Sequence, residues 1–173
     1  MTDSRCRAHM LLDDGSIPNH PDLPLLVYPD VLDLPGSRGS AAAFVQDLFR
    51  KHGWGGAWVN GVFRYHHYHA TAHEVLGCFS GSAMVLFGGE EGVEVEIKAG
   101  AAVLIPAGVG HKNLGSSADF SVVGAYPPAQ SPDMKYGEPS ERPQCFEEIA
   151  RVALPAMDPV FGCEGPMRDL WLR

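Results

Sequence analysis

Four histidines and a glutamate fall within nine residues of the chain, between Gly61 and Gly81. His67 and His69 are two residues apart, so on a β-strand both imidazoles would face the same side. Glu74 follows, and a second glycine-rich stretch carries His111 after a Pro-x-Gly turn. Neutral imidazole and carboxylate groups are suitable ligands for divalent first-row metals. The pattern predicts a metal ion held inside a small β-barrel.

The expected cofactor is one divalent transition metal ion, which is Fe, Mn, Ni, Co or Zn. Three histidines and one glutamate fill four coordination positions, so an octahedral ion would keep two positions open for water, substrate or dioxygen. No cysteine stands among these residues, which weakens the case for a closed structural zinc site. Open positions are typical of a catalytic metal site.

Two other histidines compete for the site. His73 and Glu74 are neighbours, so on a strand they face opposite sides, and the spacing to Gly81 favours Glu74 as the inward group. His73 then becomes a surface residue or a support for the ligands. His66 has the opposite parity to His67 and is expected to point away. A zinc-protease HExxH helix is excluded because its last position is Gly77.

Side chains of matching parity predict the pocket around the metal. Phe63 and Tyr65 share the parity of His67, and Cys78 shares that of Glu74, although packing is the main role expected for this cysteine. Tyr126 on the last strand, with Gln130 after it, is a weaker pocket candidate. The aromatic residues near the motifs are otherwise expected mostly in the core: Trp54, Trp58, Phe63, Tyr65 and Phe79.

Composition limits the function classes. The chain has 173 residues, 45% hydrophobic content and a net charge of −8, which argues against nucleic acid and anionic membranes as partners. No apolar run approaches the roughly 18 residues that span a bilayer, and the N-terminus does not read as a secretory signal. Four scattered cysteines without a CxxC pattern indicate reduced thiols and a cytoplasmic protein.

Turn residues and hydrophobic periodicity predict the elements that position the motifs. A helix is expected after a Ser40 cap, with an apolar stripe through Val45 and Phe49 and an end at Gly53. Residues 25–28 read as an edge strand because prolines flank them. About eight short strands suggest a sandwich or barrel: 58–63, 65–69, 74–79, 82–87, 93–97, 102–105, 111–114 and 120–126.

One domain is expected over residues 1–173. Its barrel core spans about 54–127, an N-terminal arm and helix span 1–53, and a C-terminal helix and docked tail span 128–173. The C-terminal helix is predicted at 145–152, with Phe146 and Ile149 facing inward. The tail that follows reads as irregular, and Trp171 is among the residues expected to dock it.

The two motifs resemble those of the cupin superfamily. They read Gly61-x5-His67-x-His69-x4-Glu74-x6-Gly81 and Gly100-x5-Pro106-x-Gly108-x2-His111, with 18 residues between them. The resemblance implies a six- to eight-stranded antiparallel jelly-roll barrel, a small-molecule ligand inside it and usually a homodimer. It implies His67, His69, Glu74 and His111 as the metal ligands. The phrases LPLLVY, HHYHATAHEVLG and DPVFGCEGP resemble the YjlB-like bacterial cupins over almost the whole chain.

Two function classes follow. The first is a metal-dependent enzyme acting on a small organic molecule, of dioxygenase or isomerase type by analogy at the level of the fold. The alternative is a non-catalytic cupin that binds or senses a small molecule. A purely structural barrel is disfavoured, because burying three histidines and a glutamate without a partner is costly.

Overall fold

Nine strands and three α-helices make up the part of the chain that the structure, a computed structural model, describes: residues 5–172. Residues 1–4 of the predicted arm and residue 173 of the predicted tail lie outside it. The strands are β1 (Arg7–His9), β2 (Leu25–Tyr28), β3 (Gly55–Asn60), β4 (Glu74–Ser80), β5 (Ser82–Phe87), β6 (Val93–Lys98), β7 (Ala102–Ile105), β8 (His111–Ser116) and β9 (Ser121–Tyr126). The helices are α1 (Arg38–Lys51), α2 (Gln144–Ala150) and α3 (Pro166–Trp171).

Two antiparallel sheets enclose the core. One has six strands in the order β1-β2-β7-β4-β9-β3, and the other has three in the order β6-β5-β8. Consecutive strands β4 and β5 therefore lie in different sheets. Side chains from the two sheets pack between them, including Leu76 of β4 and Val103 of β7 from one sheet and Val85 of β5 from the other. The prediction of an all-β antiparallel jelly roll with a helix before and a helix after the barrel is confirmed.

Strand β2 lies inside its sheet. It pairs with β1 on one side and with β7 on the other, so the prediction of an edge position is wrong. The flanking residues Pro24 and Pro29 stand just outside the four paired residues, where a missing N–H costs no ladder hydrogen bond. All four side chains of β2 are buried.

Helix α1 starts three residues earlier than expected. Ser37 is its N-cap, and the Ser37 hydroxyl accepts a hydrogen bond from the Ser40 N–H. The helix ends at Lys51, just before Gly53, which has a φ of 84°. It buries Val45 and Phe49, from the predicted stripe, against the outer face of the six-stranded sheet.

Gly77 of β4 allows this close packing. A Cβ at Gly77 would lie 2.6 Å from Cγ1 of Val45 and 2.8 Å from Cζ of Phe49. We expect Gly77→Ala to lower the free energy of unfolding by about 1–3 kcal/mol, because overpacking forces neighbouring side chains to shift. Gly39→Ala is the matched control, since a Cβ there meets no atom within 4 Å and alanine favours the helix. Urea denaturation of both variants tests this, and equal midpoints would contradict it.

The C-terminal region packs on the six-stranded sheet and its loops. Helix α2 buries Cys145 and Ile149, whereas Phe146 is 40% exposed beside the Arg142 guanidinium, so the inward prediction for Phe146 is wrong. Helix α3 forms where an irregular tail was expected. Trp171 is buried there, and its indole N–H donates to the Pro24 carbonyl at 2.9 Å. These contacts hold Trp171 against the residues that lead into β2.

No helix within residues 5–172 is both long enough and apolar enough to span a bilayer.

Candidate metal centre

The segment between β3 and β4 presents the first two histidines. The strand predicted at 65–69 is absent, and the segment forms only isolated bridges, of which one joins His67 to His111. Their main chains exchange two hydrogen bonds, of 3.3 and 2.9 Å, and the Gly108 N–H donates to the His69 carbonyl at 2.8 Å. Local pairing therefore keeps the alternation that puts His67 and His69 on one side.

His67, His69 and His111 form a buried group whose possible ligand atoms all lie within 4.8 Å of one another. The ring centroids of His67 and His111 are 4.1 Å apart. Glu74, at the start of β4, lies beside this group. Its Oε2 is 3.4 Å from Nε2 of His69 and 3.4 Å from Nε2 of His111. The structure thus brings together the four residues named from the two motifs.

The main chain sets the tautomer of each histidine. Every Nδ1 in the group lies within hydrogen-bonding distance of a carbonyl oxygen: Tyr65 for His67, Asp133 for His69 and Val109 for His111. A ring nitrogen that faces a carbonyl must carry the hydrogen, so each neutral imidazole turns the lone pair of Nε2 toward the group. Three Nε2 donors are therefore oriented toward one point.

Glu74 supplies a test of whether a cation fits. Its Oε2 is buried and has no hydrogen-bond partner among the described residues. The Nε2 lone pairs of His69 and His111 face this oxygen at 3.4 Å. Lone pairs opposed in a buried site repel each other unless a positive charge lies between them. Three imidazole nitrogens and a carboxylate oxygen fit a divalent transition metal.

Electrostatics in the group favour a neutral His67 beside an ionised Glu74. Burial, with the charge of His111 adding to it, lowers the pKa of His67 to about 3. Burial alone would raise the pKa of Glu74, but the contacts with His111 and His69 outweigh it and bring the pKa below its usual range. For His69, burial opposes protonation, yet Glu74 and Asp133 raise the pKa overall.

A cavity of about 260 Å³ opens above the histidines. Phe63 and Tyr126, both predicted pocket residues, line it. Tyr65 does not line it and instead stacks on Phe63, with ring centroids 4.9 Å apart. Both Phe63 and Tyr65 are 46% exposed, so the expectation that the nearby aromatics are mostly core fails for these two, while Trp54 and Phe79 are buried.

Cys78 faces the interior but stands apart from the cavity. Its side chain is buried in the packing between the sheets, and its thiol lies 3.4 Å from the Ser80 carbonyl oxygen. Burial raises the pKa of the Cys78 thiol to about 11. The expected packing role agrees with this placement.

His73 lies on the opposite side of the chain from Glu74 and is fully buried, so it is not a surface residue. Its Nδ1 accepts a hydrogen bond from the Ala107 N–H at 2.9 Å, and its ring packs against Trp171 with centroids 5.0 Å apart. Ala107 belongs to the turn that leads into His111, so His73 supports the site through this turn. The predicted candidate Gln130 accepts from the His73 N–H outside the cavity.

His66 points away from the group, as its parity predicts. Its Nε2 accepts a hydrogen bond from the Gly89 N–H at 3.2 Å, and its Nδ1 lies 3.5 Å from Glu90.

Several cavity residues were missed from the sequence, and Trp58 and Met134 are among them. Trp58 was expected in the core, but it lines the cavity and donates its indole N–H to the Tyr126 hydroxyl at 2.7 Å. Its ring lies directly over Gly124, where a Cβ would be 2.1 Å from Trp58 Cε2. Met134 comes from the proline-rich loop after β9, and no periodic pattern in that loop points to it.

The facing antiparallel sheets and the histidine-lined cavity define the protein as a small jelly-roll barrel with a candidate metal centre. The chain belongs to the YjlB family: it is 47% identical over 161 residues to "Uncharacterized protein YjlB" of Bacillus subtilis (strain 168), covering 93% of each chain. No family model matches the sequence.

Solved structures show weaker similarity. Acireductone dioxygenase from Bacillus anthracis, with a cadmium ion in its active centre, matches with a TM-score of 0.40 and 18% identity, over 55% of this chain and 65% of that one. The epimerase RmlC from Legionella pneumophila matches with a TM-score of 0.38 and 12% identity, over 70% and 71%. Similarity at this level carries no argument about ligand or reaction.

The charge of Glu74 gives a direct prediction. We expect Glu74→Gln to keep the fold but weaken divalent metal binding by at least about tenfold, because the variant retains shape and loses the anionic donor. Competition with a chromogenic chelator measures the change. Glu90→Gln is the control, because Glu90 is exposed and lies outside the group. Equal affinities for both variants would show that Glu74 does not contribute to metal binding.

Proposed function

We propose that this protein is a metal-dependent enzyme that acts on a small organic molecule inside the barrel, by a dioxygenase- or isomerase-type reaction. The observation that carries the proposal is the buried group of three Nε2 donors beside an unpartnered Glu74 oxygen, at the base of a cavity. A structural metal site would be closed by protein ligands, whereas this group faces open space.

The proposed ligands are His67, His69, His111 and Glu74, and they would hold one divalent Fe, Mn, Ni, Co or Zn ion. When bound, such an ion supplies Lewis-acid polarisation of a ligand's oxygen atom and, for a redox-active metal, electron transfer. The carbonyls at the three Nδ1 atoms keep the imidazoles oriented for this role.

Tyr126 is positioned to orient a bound molecule. Its oxygen accepts the Trp58 N–H, and its own hydrogen can be donated to Glu74 or to a bound molecule. Burial and the nearby charge of Glu74 raise the pKa of Tyr126, so the hydroxyl stays protonated at neutral pH. Mainly apolar side chains line the cavity beside this hydroxyl and the histidines.

One observation favours the alternative of a non-catalytic binding or sensing cupin. Among the described residues that line the cavity, the titratable side chains are the proposed ligands and Tyr126.

An isomerase needs a group that carries a proton, and here only Tyr126 or Glu74 is placed to do so. A dioxygenase has no such requirement, so we place it ahead of the isomerase.

Turnover separates the enzyme from the binding protein. We would load the protein separately with Fe(II), Mn(II) and Zn(II) and screen phenols, thiols and keto acids for oxygen consumption and, by NMR, for isomerisation. The enzyme hypothesis expects turnover that disappears in the His67→Ala, His111→Ala variant. Tight binding of a compound without turnover under any metal would favour the sensing cupin.

A homodimer, a cytoplasmic location and the exclusion of nucleic acid and membrane as partners stay predictions. Light scattering of the purified protein tests the dimer.

A further inference from the structure

The walls of the cavity are mainly apolar, with Asn60 as a polar member, and carry no lysine or arginine among the described residues. Trp58, Val62, Phe63, Leu76 and Met134 surround the space above the histidines. Within residues 5–172, no lysine or arginine is among the lining side chains. Recognition of phosphate or of several carboxylates normally uses such cations. The cavity is therefore built for a largely uncharged molecule.

The size of the cavity suits a single ring. An apolar cavity of about 150 Å³ is enough to hold benzene, and this one has about 260 Å³. It can therefore hold one substituted ring between its walls.

An aromatic platform stands at the side of the cavity. Phe63 and Tyr65 stack with an interplanar angle of 13°, and Tyr65 also contacts Tyr136 at a centroid distance of 5.9 Å. Stacking holds the Phe63 ring in place although it is 46% exposed. Phe63 also meets the ring of His67 at 5.3 Å, so a flat molecule resting on Phe63 would lie next to the histidine group.

The polar groups of the cavity lie mostly at its base. His67, His69, His111 and Glu74 are there, and the Tyr126 ring lies 6.2 Å from the His69 ring. A molecule with one polar end would match this division. A second negative charge at the other, apolar end of the cavity would be buried where no lysine or arginine lines the walls, which is costly.

We infer that the cavity binds a single-ring aromatic molecule, or a similarly flat apolar one, whose oxygen-bearing end faces the histidines and which carries at most one negative charge. The part of this inference that concerns the oxygen-bearing end rests on the proposed metal centre. The aromatic preference rests on the walls alone.

Four probes that all chelate metals through oxygen test this class: catechol, salicylate, malate and phosphoenolpyruvate. Because they share a metal-binding end, they differ mainly in ring and charge. Dissociation constants are measured by calorimetry on the zinc-loaded protein, in which redox turnover is excluded. Catechol and salicylate are expected to bind at least about tenfold more tightly than the other two. Equal or reversed affinities would overturn the inference.

A pair of variants tests whether Phe63 is responsible for the preference for aromatic ligands. Phe63→Ser is expected to weaken catechol binding about tenfold and to leave malate binding unchanged. Tyr136→Ser is the matched control, because this exposed aromatic contacts Tyr65 but does not line the cavity. An equal loss of catechol binding in both variants would contradict a platform at Phe63.

Zinc content, measured on the same samples, separates the two proposals. One zinc per chain without any aromatic preference overturns this inference and leaves the metal centre intact. No bound metal after loading with Fe, Mn, Ni, Co or Zn in turn overturns the metal centre. The aromatic preference is then decided on the metal-free protein by whether phenol binding depends on Phe63.

Discussion

Replacing His67 and His111 together by alanine is expected to lower the affinity for a divalent metal by more than about 100-fold. Substitutions of groups that merely orient metal ligands already lower metal affinity by about 10–100-fold. This variant removes two of the three convergent Nε2 donors themselves. Elemental analysis after gel filtration measures the result. Wild-type protein should retain about one ion per chain, and the variant should retain almost none.

His66→Ala is the matched control for that result. His66 belongs to the same histidine cluster in the sequence, but its Nε2 bonds to Gly89 and its ring points away from the group. Metal content should stay at the wild-type level in this variant. Equal metal content in the double variant and the wild type would refute the proposed centre.

Metal removal gives an independent measurement of the same site. A ligand present at 100 times its Kd stabilises the folded state by about 2.7 kcal/mol, and in a chain of this size 1 kcal/mol shifts Tm by roughly 2–4 °C. A strong chelator is therefore expected to lower the Tm of metal-loaded wild type by about 5–10 °C. The double variant, which has no ion to lose, should not respond.

The second large effect is expected at Asp158, far from the cavity. Its buried carboxylate accepts hydrogen bonds from the main-chain N–H groups of Val160, Phe161 and Met167 and from the Tyr28 hydroxyl. It thereby joins the C-terminal tail to strand β2. Asp158→Ala removes this shared acceptor from buried donors, each of which costs about 1–3 kcal/mol when left unsatisfied.

We expect Asp158→Ala to lower the free energy of unfolding by about 3–5 kcal/mol. Tm should then fall by roughly 6–20 °C, measured by differential scanning calorimetry. Asp169→Ala is the control, because Asp169 is exposed on α3 and should change Tm by no more than about 2 °C. A melting temperature for Asp158→Ala within that same range would show that the tail is held mainly by apolar contacts such as those of Trp171.

Sequence reasoning succeeded where the decisive contacts are local or periodic. The alternation of residues 93–98 and the glycine turns around β4 and β5 predict antiparallel strands. Strands β4, β5 and β6 all lie within one residue of the expected bounds. His67 and His69 face one side although their segment is not a strand. Pairing with His111 preserves the alternation on which the prediction relied.

Sequence reasoning failed where a distant segment decides the environment. Strand β2 was expected at an edge, but β1, from the arm, covers its free side. Helix α3 was missed because it is short and is stabilised by the packing of Met167 and Trp171 in the core. His73 looked like a possible surface group, yet Trp171, about a hundred residues later, packs against it.

The sequence by itself determined the antiparallel β class and which three histidines meet, because spacing and strand alternation act over a few residues and the two motifs lie on neighbouring segments. Only the tertiary structure decided what those histidines can do. The Nδ1 partner of His69 is the Asp133 carbonyl, 64 residues away, and the cavity walls combine Trp58 with Met134. Such contacts depend on how separate loops pack around the barrel, and no local pattern encodes that packing.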